Sequence, residues 1–296
     1  MHKDISDNKK SDNENELLRK IREKHLISLL ARMLVYLATG IVVAVVLFLL
    51  GYIFINGIPH LSPKLFAWKY STDNNSMLPA IINTFLIMLL TLAIAVPIGV
   101  FSAIYMVEYA KRGNKFVSLV RLTTETLSGI PSIVYGLFGY LAFVIALGWS
   151  YSMMAGAVTL AIMVLPLIMR TTEEALLSVP DSFREGSFGL GAGKRRTVFR
   201  IILPSVMPGI LSGVVLAAGR IMGETAALIF TAGTVAKVPD NAFSSTRTLA
   251  VHMYCLLNEG LHIEDAYATA VVLVVFVLGM NGLSKVIAGR FSKTKV

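Results

Sequence analysis

Six runs of largely apolar residues, at 33–55, 78–106, 127–147, 151–169, 205–230 and 266–287, set the limits on what this chain can fold into. Each run is long enough to cross about 30 Å of hydrocarbon at ~1.5 Å of helical rise per residue. A segment inside hydrocarbon must satisfy its own backbone polar groups, so the runs predict α-helices. Composition agrees, with 55% apolar residues in 296 and a mean hydropathy of +0.70, beyond what a soluble domain carries. The expected architecture is an all-α polytopic membrane protein with six transmembrane helices. The third and fourth runs are separated by a short turn at Gly148 and should pair as an antiparallel hairpin.

A net charge of +9 is compatible with a nucleic-acid partner. The placement of the basic residues argues against one, because they occupy the segments between apolar runs. Of 27 Lys and Arg, 22 fall in residues 1–32, 107–126, 170–204 and the C-terminal end. The alternate segments hold only Lys64, Lys69, Lys237 and Arg247, and Arg220 lies inside a run. The bias of basic residues toward the cytoplasm then places both termini and the 170–204 segment inside. The stretch 231–265 lies outside, and its helix-like run 248–257 is expected at the membrane interface. Residues 1–32 are polar and mixed in charge, without the apolar core and cleavage site of a secretory signal. They read as a largely disordered cytoplasmic tail that turns helical from Glu14. The division is a tail (1–32), a first span with its outer loop (33–77) and a six-helix body completed by 78–296.

Chemistry-bearing clusters are sparse. The single cysteine, Cys255, excludes an intrachain disulfide and a multi-cysteine metal site. His60, His252 and His262 lack a second ligand at metal spacing and are expected at the surface. No metal site and no catalytic nucleophile–base arrangement is expected. Gly-Leu-Gly-Ala-Gly-Lys at 189–194 resembles a phosphate-binding loop, but that loop needs glycine at position 188 and Ser or Thr at 195. Phe188 and Arg195 stand there, so nucleotide binding by this chain is excluded.

The informative residues are the charged ones within apolar runs. Arg220 and Glu224 are four apart in the fifth run and share a helical face. Each costs ~2.5–3.5 kcal/mol at the centre of a membrane helix, so such residues face a protein interior or an aqueous path. Gly209, Gly213 and Ala217 continue the same stripe, a surface for close packing or cavity lining. An arginine fork suits tetrahedral oxyanions, with Glu224 expected to hold and neutralise it. The alternative is a structural ion pair between helices. In the third run, Gly129, Ser132, Gly136 and Gly139 also share a face, for packing or for contact with solute. Pro131 there loosens the backbone bonding.

The polar segment from Glu185 to Gly209 carries a longer pattern: Glu185, Gly186 and Ser187, then Gly191, then Ile201-Ile202-Leu203-Pro204. This spacing resembles the loop by which permeases of ABC importers dock onto a separate ATPase. Two more stretches, Thr-Glu-Thr-Leu-Ser-Gly-Ile-Pro-Ser at 124–132 running on to Gly139, and Gly-Arg-Ile-Met-Gly-Glu-Thr at 219–225 running on to Gly233, are similar to membrane subunits of phosphate importers, the A-type in particular. The resemblance implies a type I (MetI-like) permease fold in a bacterial cytoplasmic membrane, with a coupling loop at about 181–204. It also implies partners: a C-type permease subunit, two copies of an ATPase that uses ATP and Mg, an extracytoplasmic phosphate-binding protein and membrane lipid. No cofactor is expected in this chain itself. The docking residues would be Glu185, Gly186, Ser187, Gly191, Ile201, Leu203 and Pro204, and the solute path Arg220, Glu224, Ser132 and Thr225. Gly129, Gly136, Gly139, Gly209 and Gly213 would pack helices. Family members carry Glu-Ala-Ala where this chain has Glu-Gly-Ser, and Gly186 lowers helix propensity by up to ~1 kcal/mol.

Two other classes fit less well. An ion-coupled secondary transporter predicts internal repeats and more intramembrane acids than Glu224. A membrane-embedded enzyme predicts a catalytic constellation. Within the permease class, import of another oxyanion or another solute is the nearest alternative.

Overall fold

The computed structural model describes residues 2–111 and 113–293, with side chains described over 28–111 and 113–282. Arg112 and residues 294–296, which enter the charge count, lie outside the described residues. The described residues form helices, turns and loops without strands. Five helices are long and apolar enough to span a membrane, and a sixth span is formed if a broken pair is taken together.

The chain divides into residues 1–55 and 56–296. The first part is almost all of α1 (His2–Gly57). Helix reaches back through the residues expected to be largely disordered, where neither Gly nor Pro occurs before Gly40. Its large apolar side chains from Leu29 to Leu49 are exposed, as befits a helix surrounded by lipid.

In the second part, α2 (Leu78–Ile104), α5 (Met153–Leu177) and α8 (Leu203–Met222) pack together, and α11 (Ile263–Lys293) packs on α8. Ile87, Leu160, Val164, Ile221 and Leu228 are enclosed in the core between them. Small residues set the close approaches. A Cβ placed on Gly209 would lie 2.8 Å from the Ala175 Cβ, and one on Gly213 would strike Thr171. Membrane helices rely on such contacts, since lipid gives no hydrophobic drive for them to associate.

Two expected spans are broken. The third run was expected to be one helix over 127–147. Instead α3 (Lys115–Ser128) and α4 (Ser132–Gly139) meet at 104°, and α4 continues through a wider π turn to Ala146. Pro131 supplies no amide hydrogen and disfavours helical geometry at Ile130, while Gly129 weakens the helix before it. The Tyr135 hydroxyl donates to the Leu127 carbonyl (2.7 Å), satisfying an acceptor that the break leaves free. The fifth run starts earlier than expected: α7 (Lys194–Thr197) passes through a π turn into α8 as one span, Lys194–Met222. It also stops earlier, at Gly223, and α9 (Ala226–Thr231) follows. α4 and α9 lie side by side, where a Cβ on Gly136 would come 2.8 Å from Ala227 Cα.

The run at 248–257 is helical as expected and buries one face while Tyr254 and Leu257 stay exposed on the other. It forms α10 (Leu249–Glu259), whose Leu249, Ala250, Val251, His252 and Leu256 are buried against α2 and α11. His252, expected at the surface, is therefore enclosed.

Candidate functional site

The Glu185 segment folds as α6 (Asp181–Gly189), a turn, and α7. Glu185 and Gly186 are exposed on α6, and Ser187 is buried beneath. Gly191 turns the chain at φ +80, which glycine adopts without the strain of a side chain. Ser187 Oγ and Thr197 Oγ1 lie 2.8 Å apart and tie the two helices together. Ile201 lies in the π turn, and Leu203 and Pro204 open α8. On the outer surface Phe183 and Phe188 are exposed, and Leu190 at the tip is 91% exposed. The segment is a compact helix–turn–helix knob with three large apolar side chains exposed outside the spans.

What fixes this knob was not legible as a motif. Arg184 reaches to the end of the second span, where its Nη2 donates to Glu108 Oε1 at 2.7 Å and its Nε to the same oxygen at 3.1 Å. Its remaining donors go to the carbonyls of Val179 (2.9 Å) and Leu176 (3.0 Å) and to Asp181 (3.2 Å). Glu108 is buried and Arg184 largely so. The hydrogen bonds it donates to Glu108 hold the pKa of the Arg184 guanidinium above the usual arginine range. One side chain thus joins the loop, the end of α2 and the end of α5. The sequence signal was faint: an acid just past the end of an apolar run and an arginine beside Glu185.

At the same end of the molecule a cavity of about 350 Å³ opens between α3, α5 and α8. Arg121 pairs with Glu173 (2.5 Å) and Arg170 with Glu174 (3.0 Å) on its wall. Arg220, in the last turn of α8, also lines it and makes neither an ion pair nor a hydrogen bond with any described residue. Glu224 does not partner it. The helix has ended by then, and Glu224 Oε1 instead accepts the Ala227 amide (3.2 Å) at the start of α9. Expected on one helical face, the two residues are parted by the break at Gly223. Thr225 lies in that break and Ser132 opens α4; neither lines the cavity. Gly136 and Gly139 make close contacts, to Ala227 and to Thr159 and Thr231. Gly129 is exposed within the other break, where a Cβ would meet only the Thr126 carbonyl of its own helix, at 3.5 Å. Among the described residues no cluster of three His, Cys, Asp or Glu could hold a metal ion.

Comparison with known proteins gives this geometry a family. Residues 95–293 match the family described as binding-protein-dependent transport system inner membrane component. The chain is 38% identical over 282 residues to the probable ABC transporter permease protein YqgI of Bacillus subtilis, covering 89% of this chain and 94% of that protein. It is 35% identical over 190 residues to the phosphate transport system permease protein PstA of Mycobacterium leprae, covering 63% and 62% of the two chains. Among solved structures, it superposes on a chain of a bacterial alginate ABC transporter with a TM-score of 0.60 at 17% identity, covering 90% of this chain and 96% of that one. A chain of the MetNI methionine ABC transporter, in inward-facing conformations, gives 0.57 at 20%, covering 72% and 93%. At those identities the structures speak for the fold alone, the MetI-like permease fold. The chain belongs to the family of binding-protein-dependent transport system inner membrane components, multi-pass permease subunits of ABC importers.

Proposed function

We propose that this chain is the A-type membrane subunit of an ATP-driven phosphate importer. The observation that carries the reading is Arg220: a guanidinium with neither an ion pair nor a hydrogen bond among the described residues, at the end of a broken helix, in a cavity large enough for a tetrahedral oxyanion. A planar fork of five donors matches such an anion through paired hydrogen bonds. The likeness to PstA supports phosphate. The likeness to YqgI, whose name carries no solute, leaves another oxyanion as the second reading.

In this reading the loop end is cytoplasmic, by the bias of basic residues, and both termini lie on that side. The α6–turn–α7 knob docks on a separate ATPase, two copies of which hydrolyse ATP with Mg. A C-type permease completes the pathway and an extracytoplasmic binding protein delivers phosphate. The chain itself catalyses no reaction and holds no cofactor. Closure of the ATPase pair pushes on the knob. Because Arg184 fastens the knob to α2 and α5, the push reaches the span ends as a rigid-body movement. Arg220 receives the anion, and Ser132, Glu224 and Thr225 at the two helix breaks border its path. Arg220→Gln should lower phosphate uptake at least tenfold while the chain stays in the membrane at normal amounts. Unchanged uptake by that variant would remove Arg220 from the path and the case for an oxyanion with it.

A further inference from the structure

At the end opposite the coupling loop, one cation is enclosed. Lys64, Lys69 and Lys237 are exposed there, and Lys237 pairs with Asp240 (2.7 Å). Arg247 is only 4% exposed. No carboxylate among the described residues lies within ion-pair distance of it, and its Nε has no hydrogen-bond partner. Its guanidinium rests on the Tyr70 ring, 4.8 Å from the centroid. His252 meets the same ring edge-on at 6.0 Å, and neither of its ring nitrogens has a well-placed partner. Thr248, at the start of α10, leaves its hydroxyl unpaired as well. The α10 N-terminus adds partial positive charge.

An enclosed charge without a counter-charge is unfavourable, and an aromatic face offsets only part of that. Arg247 is held in place by its own backbone, because the Asn83 side chain donates to its carbonyl (3.1 Å) and to that of Lys237 (2.9 Å). The segment is therefore fastened to α2 while the guanidinium at its tip has no carboxylate partner among the described residues.

We propose that Arg247 is the outer contact for the transported oxyanion, shut against Tyr70 while this end is closed and presented to the incoming anion when it opens. This rests on the oxyanion-import reading above. Arg247 and Arg220 then bracket the path: the outer arginine takes the anion from the binding protein, returns to Tyr70 on closure, and leaves the anion to Arg220. The pairing is non-covalent, and charge alternates between ring face and oxyanion.

The test uses the whole importer in proteoliposomes, with phosphate-loaded binding protein outside, and reads phosphate moved per ATP hydrolysed. Arg247→Gln should lower that ratio at least fivefold with ATP hydrolysis continuing, and Arg247→Lys should recover part of it. A purely structural residue would lower both activities together and leave the ratio alone. An unchanged ratio, or joint loss of transport and hydrolysis in both variants, would overturn the proposal. Failure of the unaltered complex to move phosphate would instead strike the import reading itself.

Discussion

Arg184 and Glu108 show how much a single pair decides here. They are 76 residues apart in sequence, and the hydrogen bonds of Arg184 join the α6–turn–α7 knob to two spans. Removing one partner strands the other charge in a largely dry site, which costs about 3–5 kcal/mol. Glu108→Gln should therefore lower the thermal unfolding temperature of the solubilised chain and weaken copurification of the ATPase. Unchanged values in both assays would show that the loop is held by something else. His252 makes a second residue-scale prediction. Burial, then the Arg247 charge, push its pKa down to about 3, against a smaller opposing pull from the Asn75 backbone. In the unfolded chain it titrates near ~6.5. Between those values the unfolded chain binds more protons, so stability should rise with pH across that window, by at most ~1.4 kcal/mol per unit. In His252→Gln the rise in unfolding temperature from pH 4.5 to 6.5 should flatten. An identical slope would mean that His252 is not enclosed and neutral. Arg220 could be singled out in the sequence because a cation in an apolar run is rare. His252 could not, because its burial depends on α2 and α11 closing over α10.

Among the elements, the apolar runs located the spans approximately, with the fifth starting earlier than expected, but not their interruptions. Length and hydropathy register the burial of a run, and a run broken by Gly129-Ile130-Pro131 scores as well as a continuous one. The Pro131 signal was present, yet proline is tolerated inside α2 at Pro97 and α5 at Pro166 without such a break. The difference at α3–α4 is the adjacent glycine and the Tyr135 hydroxyl that takes up a freed carbonyl. At α8–α9 the helical spacing of Arg220 and Glu224 suggested a pair. Continuity of the helix was the unstated premise, and Gly223 ends it. The small-residue stripe was more dependable, because close packing requires absence of side-chain bulk and absence is visible in sequence. Gly213→Ala should destabilise the α5–α8 contact by about 1–3 kcal/mol, since its Cβ would strike Thr171. Adding Thr171→Ala should return part of the loss, as read by thermal unfolding. If the single variant is as stable as the parent, the two helices are not in the close contact described.

For the molecule as a whole, the fold and the direction of its asymmetry follow from two properties of the sequence: where apolar runs lie and where basic residues do not. One end carries a fixed knob and a cavity lined by an arginine that makes no ion pair among the described residues. The other encloses an arginine and a histidine under a cap fastened to α2. An importer powered from one side and loaded from the other needs such an unequal pair of ends. The central claim is that this asymmetry serves ATP-driven import of phosphate. The most direct measurement is uptake of labelled phosphate at low external concentration by cells lacking this chain, with and without the chain restored, and with sulfate followed in parallel. Restored, ATP-dependent phosphate uptake with sulfate unaffected is the expected result. Phosphate uptake that does not change on restoring the chain, with the partner subunits present, would contradict it.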